Sequence, residues 1–212
     1  MTPRRDIRTL RRDELRRAAY ETAGKHGFQA LTVAGIARRA GISKGIVHHY
    51  FTGKQDVIEH AVRFAHAQFR QAVLDQLRNA NTPSERLWSV VAGNFAPAIF
   101  QPPFRRLWLS IFEAAKTDPR LARLCAIVDR RTLININMAL RHLVPPSQVE
   151  ATAFSIVALM DGCWFLAVDE PQITRSVALN LIAGHIRITI PNFDMSAVKL
   201  DSPSEDGVGR KR

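Results

Sequence analysis

Apolar residues recur every three to four positions along most of the chain, the spacing of one buried helix face. From about residue 9 to 26, Leu15, Ala18, Ala19, Thr22 and Ala23 form a stripe that ends in "KHGF" at Gly27. Thr32 stands as an N-cap before Val33, Ile36, Ala37 and Ala40, which predicts a short second helix. Gly41 breaks it, Ser43 caps a third, and Thr52 caps a fourth over about 53–79. That fourth helix turns Ile58, Ala61, Val62, Ala65, Phe69, Ala72, Val73 and Leu77 inward. At 1.5 Å per residue it is about 40 Å long, a strut rather than a module. Further helices are predicted near 83–100, 103–116, 118–143, 146–168 and 174–190, separated by prolines at 83, 102–103, 119, 145–146 and 171. No alternating run argues for a strand and no internal repeat is evident, so the fold class is all-α. From Asp194 the apolar period stops, and 194–212 reads as a disordered tail.

Charge changes the picture from a plain helical bundle. The formal net charge is +11, which points to polyanionic partners. Residues 1–54 carry 12 Lys+Arg against 4 Asp+Glu, whereas 55–193 carry 14 against 11. The excess therefore marks a basic reading head on a nearly neutral body. Cys125 and Cys163 form no CxxC pair and read as small buried hydrophobes in a reducing compartment. No apolar segment follows the arginine-rich N-terminus, so no signal peptide is expected. The longest apolar run, "AFSIVALMDGCWFLAV", is short for a membrane span and contains Asp161. A cytoplasmic protein without membrane association is expected.

The stretch "GISKGIVHHYF" explains the charge. On a helical wheel Ile46 and Val47 point one way with Ile42 beside them, while Lys44, Gly45, His48 and His49 gather opposite. Behind a short helix and a glycine turn, this is the pattern of a helix-turn-helix with its polar face toward a major groove. Gly45 lets backbone approach the duplex, and Lys44 and the histidines offer donors and acceptors to base edges. Thr32, Tyr50 and Lys54 fall at helix ends suited to phosphate contacts, and Arg4, Arg5, Arg8, Arg11 and Arg12 add an N-terminal basic arm. Phe51 reads as core. Adjacent helical histidines diverge and no Cys or carboxylate has ligand spacing with them, so no metal and no cofactor are expected.

The segment "LTVAGIARRAGISKGIVHHYFTGKQDVI" resembles the N-terminal domain of TetR-type repressors over about residues 10–60. Carried over by residue, the resemblance implies DNA contacts from Thr32, Ser43, Lys44, Gly45, His48, His49, Tyr50 and Lys54. It also implies a homodimer on a pseudo-palindromic double-stranded operator, and a helical C-terminal domain that holds an effector pocket and dimerises through its last two helices. The expected division is a DNA-binding domain over 1–53, an effector-binding and dimerisation domain over 54–193, and the tail. "RRLWLSIFEAA", "DRRTL" and "ALMDGCWFLAV" are further similar to the choline-responsive TetR-type repressors of glycine-betaine synthesis. That similarity implies choline or another cationic small molecule as effector, the alternative being a TetR-type repressor that senses a different cationic or an aromatic or hydrophobic molecule. After the Trp of that first segment this chain has Ile111-Phe112-Glu113, where such repressors tend to be aromatic.

The residues themselves leave two readings of the second half open. Trp108 and Phe112 share a helix face, as do Asp161 and Trp164. With Phe95 and Glu113 they are the parts of a quaternary-ammonium cage. Rings at helical spacing are equally the parts of an ordinary core. The helices near 146–168 and 174–190 are apolar on broad arcs and supply the expected dimer interface. A phosphate loop, a nucleophile elbow and metal spacing are all missing, which argues against an enzyme. The remaining rival is a sequence-tolerant DNA-binding protein that uses its arginines alone.

Overall fold

The computed structural model describes residues 4–200, with side chains from Leu10 onward except Gln29. The helices are α1 (Arg4–His26), α2 (Val33–Arg39), α3 (Lys44–His48), α4 (Lys54–Leu77), α5 (Pro83–Asn94), α6 (Pro102–Ala115), α7 (Pro119–Leu140), α8 (Val149–Leu166) and α9 (Arg175–Thr189). Among the described residues there is no strand. Local chemistry fixes most of the helix starts. The side chains of Thr32, Ser43, Asp118 and Thr174 each accept from a backbone N–H of the first turn, and Thr82 with Glu85 forms a reciprocal capping box. Gly41, at φ 66°, makes the left-handed turn between α2 and α3.

Several boundaries differ from the sequence reading. Helix α1 begins at Arg4 rather than near residue 9. Gly53, not Thr52, is the N-cap of α4, and Asp56 reaches back to accept from the Thr52 N–H at 2.9 Å. Helix α5 stops at Asn94 because Pro97 follows closely and disfavours helix at Ala96. The predicted disorder from Asp194 is overturned for its first residues. Asp194 caps a 3-10 turn over Met195–Ala197, its N–H donates to Ser84 Oγ, and Ala197 is buried. Residues 201–212 of the predicted tail, and the side chains of Arg4, Arg5 and Arg8, lie outside the described residues.

Two cores form. The body core joins α5, α7, α8 and α9 through residues such as Val91, Phe95, Ile136, Leu140, Ile156, Trp164, Leu179 and Ile186. The head core gathers Leu15, Ala19, Ile36, Val47, Phe51 and Ala61, yet it also contains Leu107 and Ile111 of α6 and Leu121 and Leu124 of α7. A boundary at 53/54 therefore coincides with the start of α4 but not with the end of the head core. Tyr20 of α1 stacks on Phe104 of α6, centroids 4.5 Å apart at 11°, which welds the two helices.

Helices α4 and α5 approach each other closely at Gly93. A Cβ on Gly93 would stand 2.6 Å from Val73 Cα, so only glycine lets these backbones meet. Gly93→Ala is expected to destabilise the fold by about 2–3 kcal/mol through overpacking, read as a lower chemical-denaturation midpoint. Gly162→Ala, where a Cβ meets nothing within 4 Å, is the matched control and should cost far less.

Candidate functional site

The reading head is built on one buried residue. Val47 is fully buried and pins α3 to the head core, leaving Lys44, Gly45, His48 and His49 exposed on the other side. Ile46 is 46% exposed and belongs to this outer surface, not to the apolar back. Helix α3 has only five residues, so a wheel drawn from 42 to 51 misplaces its edge. Thr32 and Ser43 are exposed hydroxyls already accepting from Gly35 N–H at 2.9 Å and Ile46 N–H at 3.3 Å. Tyr50 is half-buried against the head core, and Lys54 is exposed on the first turn of α4. Of the basic arm, Arg11 pairs with Glu14 at 2.8 Å and Arg12 turns inward to His60.

His60 locks the head to the strut. Arg16 Nε donates to its Nδ1 at 3.1 Å, while Arg12 Nη2 at 3.2 Å and Asp56 Oδ1 at 3.4 Å both face its Nε2. Burial, and then the Arg16 guanidinium, hold the imidazole below the usual histidine range. Phe51, one residue before Thr52, meets the same ring edge-on at 5.1 Å.

A second site lies in the body. Phe69 of α4, Trp108 and Phe112 of α6, and Trp164 of α8 stand around a cavity of about 210 Å³. Trp108 is the hub: its ring lies 4.5 Å from Phe69, 5.5 Å from Phe112 at 87°, and 6.2 Å from Trp164. Two carboxylates, Asp129 and Asp161, share the lining with Asn94 and Thr132. Asp161 is reached by solvent along the cleft yet crowded by protein. Burial, reinforced by Asp129, pushes its carboxyl up to about 6. Burial also raises Asp129. Neither carboxylate has an ion-pair partner among the described residues. Asp161 also lines a separate cavity of about 290 Å³ between α6 and α8, together with Arg105, Lys116 and Phe165.

The structure brings Trp108, Phe112, Asp161 and Trp164 together from the six candidate effector residues. It does not bring Phe95 or Glu113 to the cavity. Phe95 is fully buried behind Trp164, 6.2 Å away, and its carbonyl accepts from Arg175 Nε. Glu113 is exposed, one residue round the helix from Phe112 and off the lining. Phe69, Asn94, Asp129 and Thr132 escaped the sequence reading. Asp129 and Thr132 sit at i, i+3 within "DRRTL", a spacing that signals a shared face but not what the face meets.

Comparison with known proteins places this geometry. Residues 15–61 match the model of the bacterial regulatory proteins of the tetR family, and residues 83–191 match that of the BetI-type transcriptional repressor C-terminal domain. The chain is a TetR-family transcriptional repressor with a BetI-type C-terminal domain. The HTH-type transcriptional regulator BetI of Klebsiella pneumoniae strain 342 is 32% identical over 193 residues, covering 90% of this chain and 99% of that one. The BetI regulator of Escherichia coli O157:H7 is 31% identical over 192 residues, covering 87% and 98%. Among solved structures, a transcriptional regulator from Saccharomonospora viridis in complex with choline superposes with a TM-score of 0.78 at 18% identity, covering 86% and 98%. A TetR regulator from Haloarcula marismortui gives 0.76 at 18%, covering 86% and 99%. At those identities the structures speak to the fold alone. As a TetR-family member the chain is a regulator that binds operator DNA as a dimer and responds to a small molecule.

His66 of this repressor lies beside the hub, its ring 5.5 Å from Trp108. Burial, with Arg63 adding, lowers its pKa to about 4, and its buried Nε2 has no hydrogen-bond partner. A depressed folded value means the unfolded chain protonates first, so stability is lost as pH falls from 6.5 toward 4. The loss from this one group is expected to be on the order of 2 kcal/mol after solvent screening. Denaturation midpoints from pH 7.5 to 4.5 should fall less steeply in His66→Leu than in the wild type.

Proposed function

We propose that this repressor senses choline or a closely related quaternary ammonium compound, and that it controls genes of choline-to-betaine conversion. The observation that carries the reading is the pair of unpaired carboxylates, Asp129 and Asp161, set among the rings of Phe69, Trp108, Phe112 and Trp164. A carboxylate held in partial desolvation without a counter-ion favours a cationic guest. Each desolvated ring face adds up to about 2 kcal/mol of cation–π attraction. The BetI relatives and the choline complex of a structural neighbour support the same chemistry.

On the DNA side, Lys44, Gly45, His48 and His49 face the major groove, and Ser43, Thr32, Tyr50 and Lys54 contact the phosphates that set register. The homodimer uses α8 and α9, whose outer faces leave Phe154, Phe165, Leu181 and Ile188 between 49% and 79% exposed. Helix α8 and its preceding turn are apolar enough to pass as a membrane span by length and composition. A partner's α8 and α9 would cover that surface in a cytoplasmic dimer just as well. Effector binding acts through α6. Trp108 and Phe112 line the cavity while Leu107 and Ile111 sit in the head core, so a shift of α6 respaces the two heads.

Isothermal titration with choline tests the ligand reading directly. Binding in the micromolar range is expected, with affinity about tenfold or more lower in Trp108→Ala and in Asp161→Asn. Because the carboxylate form receives the cation, affinity should decline as pH falls through about 6, and Asp161→Asn should flatten that profile. Absence of binding at neutral pH would sink the choline reading and leave the repressor intact.

Operator titrations test the head. Lys44→Ala and His49→Ala are expected to lose about 1–3 kcal/mol on operator and little on unrelated DNA. Arg11→Ala should weaken both equally and modestly. Equal losses on both DNAs from all three variants would favour a sequence-tolerant binder.

A further inference from the structure

The cleft does not end at the aromatic box. Phe69, Asn94, Val128 and Thr132 also line a third cavity, of about 80 Å³, between α4 and α7. The charge there is reversed. Arg70 of α4 and Arg131 of α7 line this outer cavity, and it holds no carboxylate. Both arginines are exposed, and neither has an ion-pair or hydrogen-bond partner among the described residues.

The arrangement follows from the helices. On α7, Val128, Thr132 and Asn135 share the cleft-facing stripe, with Asp129 on one flank and Arg131 on the other. The acidic and basic groups of α7 therefore flank one stripe from opposite sides. Asn94 and Thr132 supply polar groups at the neck between them.

We infer that the effector is a quaternary-ammonium zwitterion whose cation occupies the aromatic box and whose anion, several bonds away, reaches Arg70 and Arg131. The inference rests on the cavity being the effector site and adds to it the chemical class of the guest. Choline itself engages only the acidic half. Glycine betaine carries its carboxylate too near the nitrogen to span the neck. A phosphate or carboxylate on a longer arm spans it, and two guanidinium groups from different helices hold it with charge-assisted hydrogen bonds. Such a guest also ties α4, which begins at the reading head, to α7.

The test is isothermal titration of the full-length protein with choline, phosphocholine and carnitine, in the wild type, Arg70→Gln and Arg131→Gln. Both substitutions are at exposed positions, and melting temperatures check that folding is unchanged. Phosphocholine or carnitine is expected to bind about tenfold more tightly than choline. Either substitution should erase most of that preference while leaving choline within about twofold. Phosphocholine and carnitine then distinguish a phosphate from a carboxylate terminus. If choline binds and neither zwitterion binds better, the inference is overturned and the cationic effector site stands. A preference that survives both substitutions places the anion elsewhere, for example at Arg105 and Lys116, and overturns it too. If none of the three ligands binds, the effector-site reading falls together with the inference.

Discussion

Helix α6 is packed against two cores at once, and the response to effector proposed above depends on that constraint. Its Leu107 and Ile111 are fully packed among head residues, Phe104 stacks on Tyr20, and about 100° round the same helix Trp108 and Phe112 form the wall of the body cavity. Side chains in close-packed interiors have few alternative arrangements, so a guest that repositions Trp108 has to be accommodated by the helix as a unit. The Trp108 ring touches Phe69, Phe112, Trp164 and His66, which ties α4 and α8 to the same event. Helix α4 also runs from this cluster to His60 and Asp56, which accept from Arg16 and from the Thr52 N–H.

The electrostatics follow a consistent logic along the chain. The excess positive charge belongs to the head, where exposed arginines, lysines and histidines meet a polyanion. The body is nearly neutral in sum, yet its charges are sorted within one cleft. Asp129 and Asp161 occupy the centre, with Arg105 and Lys116 at one end and Arg70 and Arg131 at the other. Carboxylates left unpaired in a crowded site are costly, so the cationic guest proposed above would relieve that cost and be selected by its charge. The two buried thiols take no part. Burial raises both Cys125 and Cys163 and so disfavours their thiolate forms.

Most of the architecture is legible in the sequence because helical periodicity and caps are local signals. The stripe of α1, the caps Thr32 and Ser43, and the turn at Gly41 all stand where the pattern puts them. What the sequence hides is long-range or depends on a single residue. Ile46 reads as apolar backing, but in a helix of five residues the burial of Val47 alone decides which side is out. Glu113 and Phe112 are neighbours in sequence and differ by about 100° on the helix, enough to separate lining from solvent. Phe95 is an aromatic residue in the right region, but α5 directs it into the core behind Trp164. Asp129 joins Asp161 only through the packing of α7 on α8, which no spacing within the chain encodes. The docking of Phe193 and Ala197 escapes a periodicity reading for the same reason, since isolated contacts carry no period.

Linkage between the two sites tests the central claim most directly. Choline affinity is measured for the free protein and for the preformed operator complex at one salt concentration. Coupling through α6 predicts weaker choline binding on DNA, by the same factor by which saturating choline weakens operator binding. Identical choline affinities in the two states would contradict the account, because a ligand without differential affinity cannot release the DNA.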